Sequence, residues 1–532
     1  LETKTDFFGT AKEIITSYQY HPRGSLKKTT TIAYEGNIAL PSRSTTLEVY
    51  DDLERFPKTI KNELEQISTL TYDQNGARWG KPETLTGVDG LTTTYSYDAF
   101  GRPTTTIHPG PYTLTQAYEW ASNEGFAWKS RSSYSTPSEL PTQGRPESTV
   151  YYDLLGRERK TTTKGFDGSD IIQFDNYDNK GNLIMSSEPH KMQTAFNYTL
   201  NQYNDPYNRL TSVNNSPFGI TTYLYDYASG ILNLTTTAPT GVTSKKTDAS
   251  GKVISATDDG GTLTYSYYNH GGLNEVKKDN VVLTKNEYDI YGRQTKLTDA
   301  NAGVTTYLYD ALGQLTKQVN SNGHTSMMNY NAMGQITSKT EATSQPGIDV
   351  TTSYIYGTTN TGGESKNRIK EVSGFTPNNK TTYLYDALGR AQSMTETVDN
   401  SEYSTSFTYN NFGDVITTTY PSQLVISNEY TIYGYLTKIK NGGTTLYATT
   451  TTNGQGQVTD YLKGGKSSNI VYTNGFPTKY ETQAANSSTF IQKLSMVWDY
   501  QKGNLTSRSD ERGTVKTESF TYDDLNRLTG SS

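Results

Sequence analysis

Five histidines, His21, His108, His190, His270 and His324, are the side chains in this 532-residue sequence best able to move a proton near neutral pH or to hold a metal. No two of them stand at the spacing from which a zinc site is built. Cysteine is absent, which removes thiolate ligands, thiol nucleophiles and disulfides together. The hydrolase string Gly-x-Ser-x-Gly and the zinc-protease string His-Glu-x-x-His do not occur. NGQGQ at 453–457 has two glycines in the style of a phosphate loop but no Lys-Ser/Thr after them, so it reads better as a turn. The acidic pairs Asp258–Asp259 and Asp523–Asp524 lack the spaced oxygen ligands of a calcium loop and also read as turn residues. Asn233 and Asn504 each begin Asn-Leu-Thr, a glycan acceptor only in a secreted eukaryotic protein. The expectation is a chain with no catalytic, cofactor-binding or metal-binding residues, and therefore not an enzyme.

What recurs instead is a unit that builds structure. Residues 305–315 read TTYLYDALGQL and residues 381–390 read TTYLYDALGR; a third copy, TTYLYDYASG, occupies 221–230. The shared frame is Tyr-x-Tyr-Asp-x-x-Gly followed by Arg, Gln, Asn or Lys, and YSYDAFG at 95–101 fits it too. The glycine anchors fall at 230, 251, 271, 292, 313 and 334, and again at 389, 413, 434 and 456, a period near 21. Asn526 takes the glycine slot in FTYDDLNRL, a mild change; Glu54 takes it in VYDDLERF and marks a distorted copy.

Each position has a physical task. Tyr95 and Tyr97, Tyr307 and Tyr309, and Tyr383 and Tyr385 stand two apart, so each pair faces one side of a strand. Asp98, Asp310 and Asp386 can accept a backbone hydrogen bond two residues on and start a turn. Gly101, Gly313 and Gly389 supply the left-handed conformation that closes it. Twenty-one residues then make two strands and their turns. Neighbouring repeats are expected to bring tyrosine rings together, at about 0.2–1 kcal/mol per pair.

Composition points the same way. Hydrophobic residues are only 32% of the chain, and 43 residues are Tyr, too little aliphatic material for several compact cores. The predicted class is all-β, a strip of roughly fifty antiparallel strands. So long a strip must coil, and its spare Tyr, Thr, Asn and Asp predict a wide coil that encloses water or cargo, against a filled β-helix or a propeller as alternatives. Net charge is −6 with no basic stripe, which argues against nucleic acid. No apolar run approaches the ~18 residues needed to span a bilayer. The sequence starts at Leu1 without a signal-peptide layout and stops at LTGSS; both ends read as cuts within a longer polypeptide. The whole of 1–532 reads as one repeat array with no separate catalytic domain. Two intervals, 103–150 and 341–380, break the period and read as irregular repeats or loop insertions, tolerated at the surface or serving as docking loops.

Tyr-Asp-x-x-Gly-Arg at this period resembles the YD-repeat, or RHS-repeat, family over almost the whole chain. The family includes the cocoon-forming subunits of insecticidal toxin complexes, bacterial polymorphic toxins, wall-associated proteins and teneurins. The resemblance implies a spiralling strip of β-hairpins forming a large hollow shell or part of one, which in the bacterial toxins holds a C-terminal toxic domain. It implies a secreted or cell-surface bacterial protein engaging secretion or delivery machinery. The self-cleaving plug of family toxins, with its Asp-Pro-x-Gly landmarks, has no counterpart in these residues, so an autoproteolytic enzyme would need a further region. The leading expectation is therefore a structural wall segment housing an effector of the same precursor. The alternative is a surface adhesin or wall protein whose exposed Tyr and Asn contact glycans.

Overall fold

A computed structural model describes the chain apart from residues 1, 7–12, 36–37, 41, 52, 76–77, 111, 137–143, 193, 343–348, 375–378 and 485–486. Among the described residues, 47 strands form one long antiparallel sheet, with a 3-10 turn at Ser122–Glu124. The all-β expectation and the strand number both hold.

The unit follows from its residues. In the copy at 303–319, strand Gly303–Tyr309 pairs with Leu315–Val319, joining Tyr307 to Gln318, Leu308 to Lys317 and Tyr309 to Leu315. The register skips Thr316, a bulge directly after the turn. The same skip recurs opposite Tyr97, at Thr104, and opposite Tyr385, at Gln392. Side chains alternate: Tyr307 and Tyr309 are half-buried, while Leu308 between them is 57% exposed. No large side chain among the described residues is fully buried, and the larger buried apolar ones are Tyr151, Ile172 and Ile470. Hydrogen-bonded pairing and half-buried rings replace a conventional core.

Two copies depart from expectation. Strand Gly219–Ala228 runs straight through Asp226, which pairs with Asn233, and the chain turns only at Ser229 and Gly230, with φ of 53° and 79°. In this copy three residues, not two, separate Asp from Gly. The anchor therefore comes one place late, and a two-residue hairpin closes the strands. Glu54, by contrast, does not distort its copy. It adopts φ 57° and donates its N–H to the Asp51 carbonyl at 2.8 Å, as glycine does elsewhere. The Asp51 carboxylate fixes the turn by accepting from the Arg55 and Phe56 amides, so the hydrogen bonds impose the conformation on an unfavourable residue.

The interval 103–150 holds strands Pro103–His108, Tyr112–Trp120, Trp128–Ser135 and Ser148–Tyr152; its proline-bearing stretch 137–143 lies outside the described residues. The interval 341–380 holds Val350–Tyr356 and Ile369–Ser373, with 343–348 and 375–378 outside the described residues.

The chain divides into two compact units. The first comprises Leu1–Leu114, Tyr267–Glu275 and Val282–Leu424; the second comprises Thr115–Ser266, Val276–Val281 and Val425–Ser532. Within each, an early run of the strip meets a later one. In the first unit Arg43 donates to Gln314 at 2.7 Å, and Gln66 and Asn367 exchange amide hydrogen bonds at 3.0 and 2.8 Å. In the second unit the Tyr435 hydroxyl donates to the Lys164 carbonyl at 3.0 Å, and Gln455 donates to Glu188 at 2.6 Å. These partners are 267 to 301 residues apart in sequence.

Candidate functional site at the repeat turn

The feature with the most organised polar chemistry is the turn. At 98–102 the Asp98 amide donates to the Arg102 carbonyl at 3.0 Å, and the Gly101 amide donates back to the Asp98 carbonyl at 3.1 Å. Gly101 sits at φ 75°, Gly313 at 85° and Gly389 at 70°. One Asp98 carboxylate oxygen accepts the Phe100 and Arg102 amides, each at 2.9 Å; the other accepts the Arg102 guanidinium twice, at 2.6 Å. Asp386 repeats this with Leu388 and Arg390, and Asp310 accepts the Gln314 amide at 2.8 Å. The same clasp joins Asp153 to Arg157, Asp205 to Arg209 and Asp289 to Arg293.

Burial pushes the Asp98, Asp153 and Asp289 carboxyls up, but the amide and guanidinium hydrogen bonds outweigh it and hold all three below the usual range. At Asp205 the hydrogen bond from Arg209 dominates and lowers the carboxyl to about 2. A carboxylate that accepts this many donors and stays ionised is a fastener, ill-suited to general-base work.

The second tyrosine ties one repeat to the one before. The Tyr309 hydroxyl donates to the Gln294 carbonyl at 3.0 Å, Tyr97 to Pro82 at 2.7 Å and Tyr385 to Ile369 at 2.6 Å. Burial raises all three phenols above their ordinary value. The turn arginine completes the joint. Arg293 lies 5.0 Å over the Tyr309 ring and donates to the Asp310 carbonyl at 2.7 Å, and Arg390 lies 4.6 Å over Tyr409 and donates to Asn410 at 3.0 Å. Ring pairs between neighbouring repeats do occur, as at Tyr268 and Tyr288, 5.7 Å apart. The recurrent contact is nevertheless the hydroxyl-to-carbonyl bond under a guanidinium. Sequence reasoning noted the residue after the glycine without giving it a task; its recurrence as Arg was the signal.

Tyr95, Tyr307 and Tyr383, the first of each pair, are half-buried on the same strand face as the second. The histidines stay apart. His190 is buried, hydrogen-bonded to the Glu188 carbonyl at 2.8 Å and stacked 3.9 Å from Phe196, while His270 lies beside Tyr268 and Tyr288. Asp258 accepts the Gly260 amide at 2.8 Å, and Asp523 clasps Arg527. In 453–457 the Asn453 carboxamide caps the turn, and a Cβ on Gly454 would meet the His190 backbone at 2.7 Å.

Comparison with other proteins places this architecture. The family model described as RHS Repeat matches residues 79–112 and 288–325. No curated protein sequence matches the chain. A crystal structure of TcdB2-TccC3-TEV superposes over 99% of this chain with a TM-score of 0.80 at 15% identity, and one of TcdB2-TccC3 over 99% at 0.79 and 16%. The Photorhabdus luminescens Tc holotoxin pore matches over 99% at 0.78 and 15%. The chain spans 34%, 32% and 34% of those solved chains.

Proposed function

We propose that this chain, which carries RHS repeats and shares the fold of those solved toxin-complex chains, is a length of wall in an encapsulating shell, whose work is confinement and not catalysis. Tyr95, Tyr97, Asp98 and Gly101, with Tyr307, Tyr309, Asp310, Gly313 and Tyr383, Tyr385, Asp386, Gly389, serve as fasteners of that wall. The carrying observation is the fold match over 99% of the chain. The contact of early and later runs within each unit supports it, since a strip that meets itself can close a wall. The cargo is an effector polypeptide from the same precursor, and the assembly acts outside the producing bacterium after secretion.

The test is protection. The full natural polypeptide that contains this segment is digested with a broad protease, and its C-terminal part is followed beside the same part expressed alone. Confinement predicts that the C-terminal part survives at least about tenfold longer in the full polypeptide. Equal digestion rates would end the proposal.

A further inference from the structure

Within the second unit the strip makes a detour. Strand Leu183–Ser187 pairs with the second half of Asp170–Tyr177, at Asp175–Tyr177, while His190–Lys191 takes the first half, beside Ile171 and Ile172. The chain then returns at Tyr198–Gln202, which pairs with Leu183–Ser187. Buried Ser187 fills the break in pairing, its hydroxyl accepting the Phe174 amide at 2.8 Å. Residues 188–197 thus give up regular hairpin pairing. With the later turns 453–455 and 472–475 of the same unit they line an open hollow of about 390 Å³, a size found among small-molecule sites.

The walls of this hollow hold polar atoms that the fold does not use. His190 is 7% exposed, and its Nδ1 lies 2.8 Å from the Glu188 carbonyl. A carbonyl only accepts, so Nδ1 carries the proton and Nε2 is left as an acceptor. Among the described residues Nε2 has no partner, and it is not sealed from the hollow. A ring nitrogen left bare in a side chain buried this deeply calls for a ligand. The Glu188 carboxylate engages Gln455 and Asn197 through Oε2, which leaves Oε1 over. The Asn197 carboxamide donates to Asn474 at 3.4 Å and leaves the Asn474 amide hydrogens unused. The half-buried Tyr472 hydroxyl, unlike that of Tyr309, donates to no carbonyl among the described residues. Burial raises this phenol above its ordinary value, so it remains a donor. Phe196 stacks on His190 at 3.9 Å and is still 40% exposed.

We propose that this hollow holds one neutral sugar ring. Its walls carry one carboxylate and no Lys or Arg, which disfavours an anion, and Lys191 of the same segment is tied to Asp167 at 2.7 Å. One carboxylate with one imidazole falls short of a metal cage, and no group of three such ligands gathers among the described residues. What the walls offer is a pair of acceptors, His190 Nε2 and Glu188 Oε1, and a pair of donors, Tyr472 and Asn474, beside an exposed aromatic ring. A hydroxyl both donates and accepts, so the neighbouring hydroxyls of a sugar satisfy both kinds at once. The C–H face of the sugar covers Phe196. The site is independent of the wall reading, since it needs no cargo and its failure leaves confinement untouched.

Saturation-transfer NMR on the full chain, with a panel of neutral methyl hexosides, methyl pentosides and methyl N-acetylhexosaminides, tests this. At least one should bind, with a Kd of about 0.1–10 mM. Tyr472→Phe removes a hydroxyl that holds nothing in the protein, so the thermal midpoint should stay in place while binding weakens about fivefold, the usual effect of one lost hydrogen bond. Glu188→Gln and His190→Gln should each weaken binding by at least as much. Where the His190 variant fails to fold, Tyr472→Phe and Glu188→Gln decide the matter. Oligosaccharides ending in the preferred sugar should bind as well as its methyl glycoside if the ring is a glycan terminus, and exclusion of them assigns the hollow to the free sugar. No binding by any member of the panel at about 50 mM would overturn the proposal. Binding that Tyr472→Phe and Glu188→Gln both leave unchanged would place the sugar elsewhere and overturn it as well.

Discussion

At the scale of single residues, the repeat is held by groups whose effects can be isolated. Tyr309→Phe removes only the hydroxyl that donates to the Gln294 carbonyl. It should cost about 1 kcal/mol in denaturant unfolding, the usual worth of one such bond. Gly313→Val forces a β-branched residue into φ 85° and should cost about 1–3 kcal/mol, and Gly389→Val the same. Variants as stable as the parent would mean that the turn conformation is not needed. Tyr, Asp and Gly were legible in the sequence because their tasks are local: alternation, a two-residue hydrogen bond, a positive φ. The reach of Tyr309 to a carbonyl fifteen residues back was not, because it depends on how one hairpin lies against the last. Nor was the stacking of Arg293 on Tyr309, which belongs to the same joint.

At the scale of the element, the spacing within a turn decides whether its aspartate matters. Asp153 clasps Arg157 and two backbone amides, so Asp153→Ala should lower stability by roughly 1–2 kcal/mol. Asp226 carries the same motif letter but lies within a strand, exposed, so Asp226→Ala should change stability by less than about 0.5 kcal/mol. The sequence disguised this difference because the motif match tolerated one extra residue before Gly230. The clasps also set a pH dependence. Asp205 is lowered from 3.8 to about 2, so the unfolded chain binds more protons between those values. The clasp therefore stabilises fully above about pH 4 and is lost as pH falls through about 2. Thermal melts of the parent should fall in midpoint over that window, and Asp205→Asn should show a smaller fall; equal falls would count against the clasp.

At the scale of the molecule, composition foretold a sheet without an aliphatic core, and the absence of any large, fully buried side chain among the described residues agrees. The meeting of early and later runs could not be read from the sequence. Partners 267 to 301 residues apart share no local pattern, and a glycine in a loop, such as Gly168, looks like an ordinary turn residue until a ring is found against it. Within each unit that offset amounts to about thirteen to fourteen periods of the repeat, so a later turn meets a loop of a much earlier repeat. Such a pairing tolerates a change of length only in whole repeats. Excising residues 314–334, one period, carries each later turn of the first unit to the neighbouring loop and should preserve a cooperative melt. Excising about half a period exchanges turn edge for loop edge and should abolish it. Near-identical copies such as YLYDALG at 307–313 and 383–389 offer recombination a place to make the first kind of change, so lineages of such a protein are expected to differ in length by multiples of one repeat.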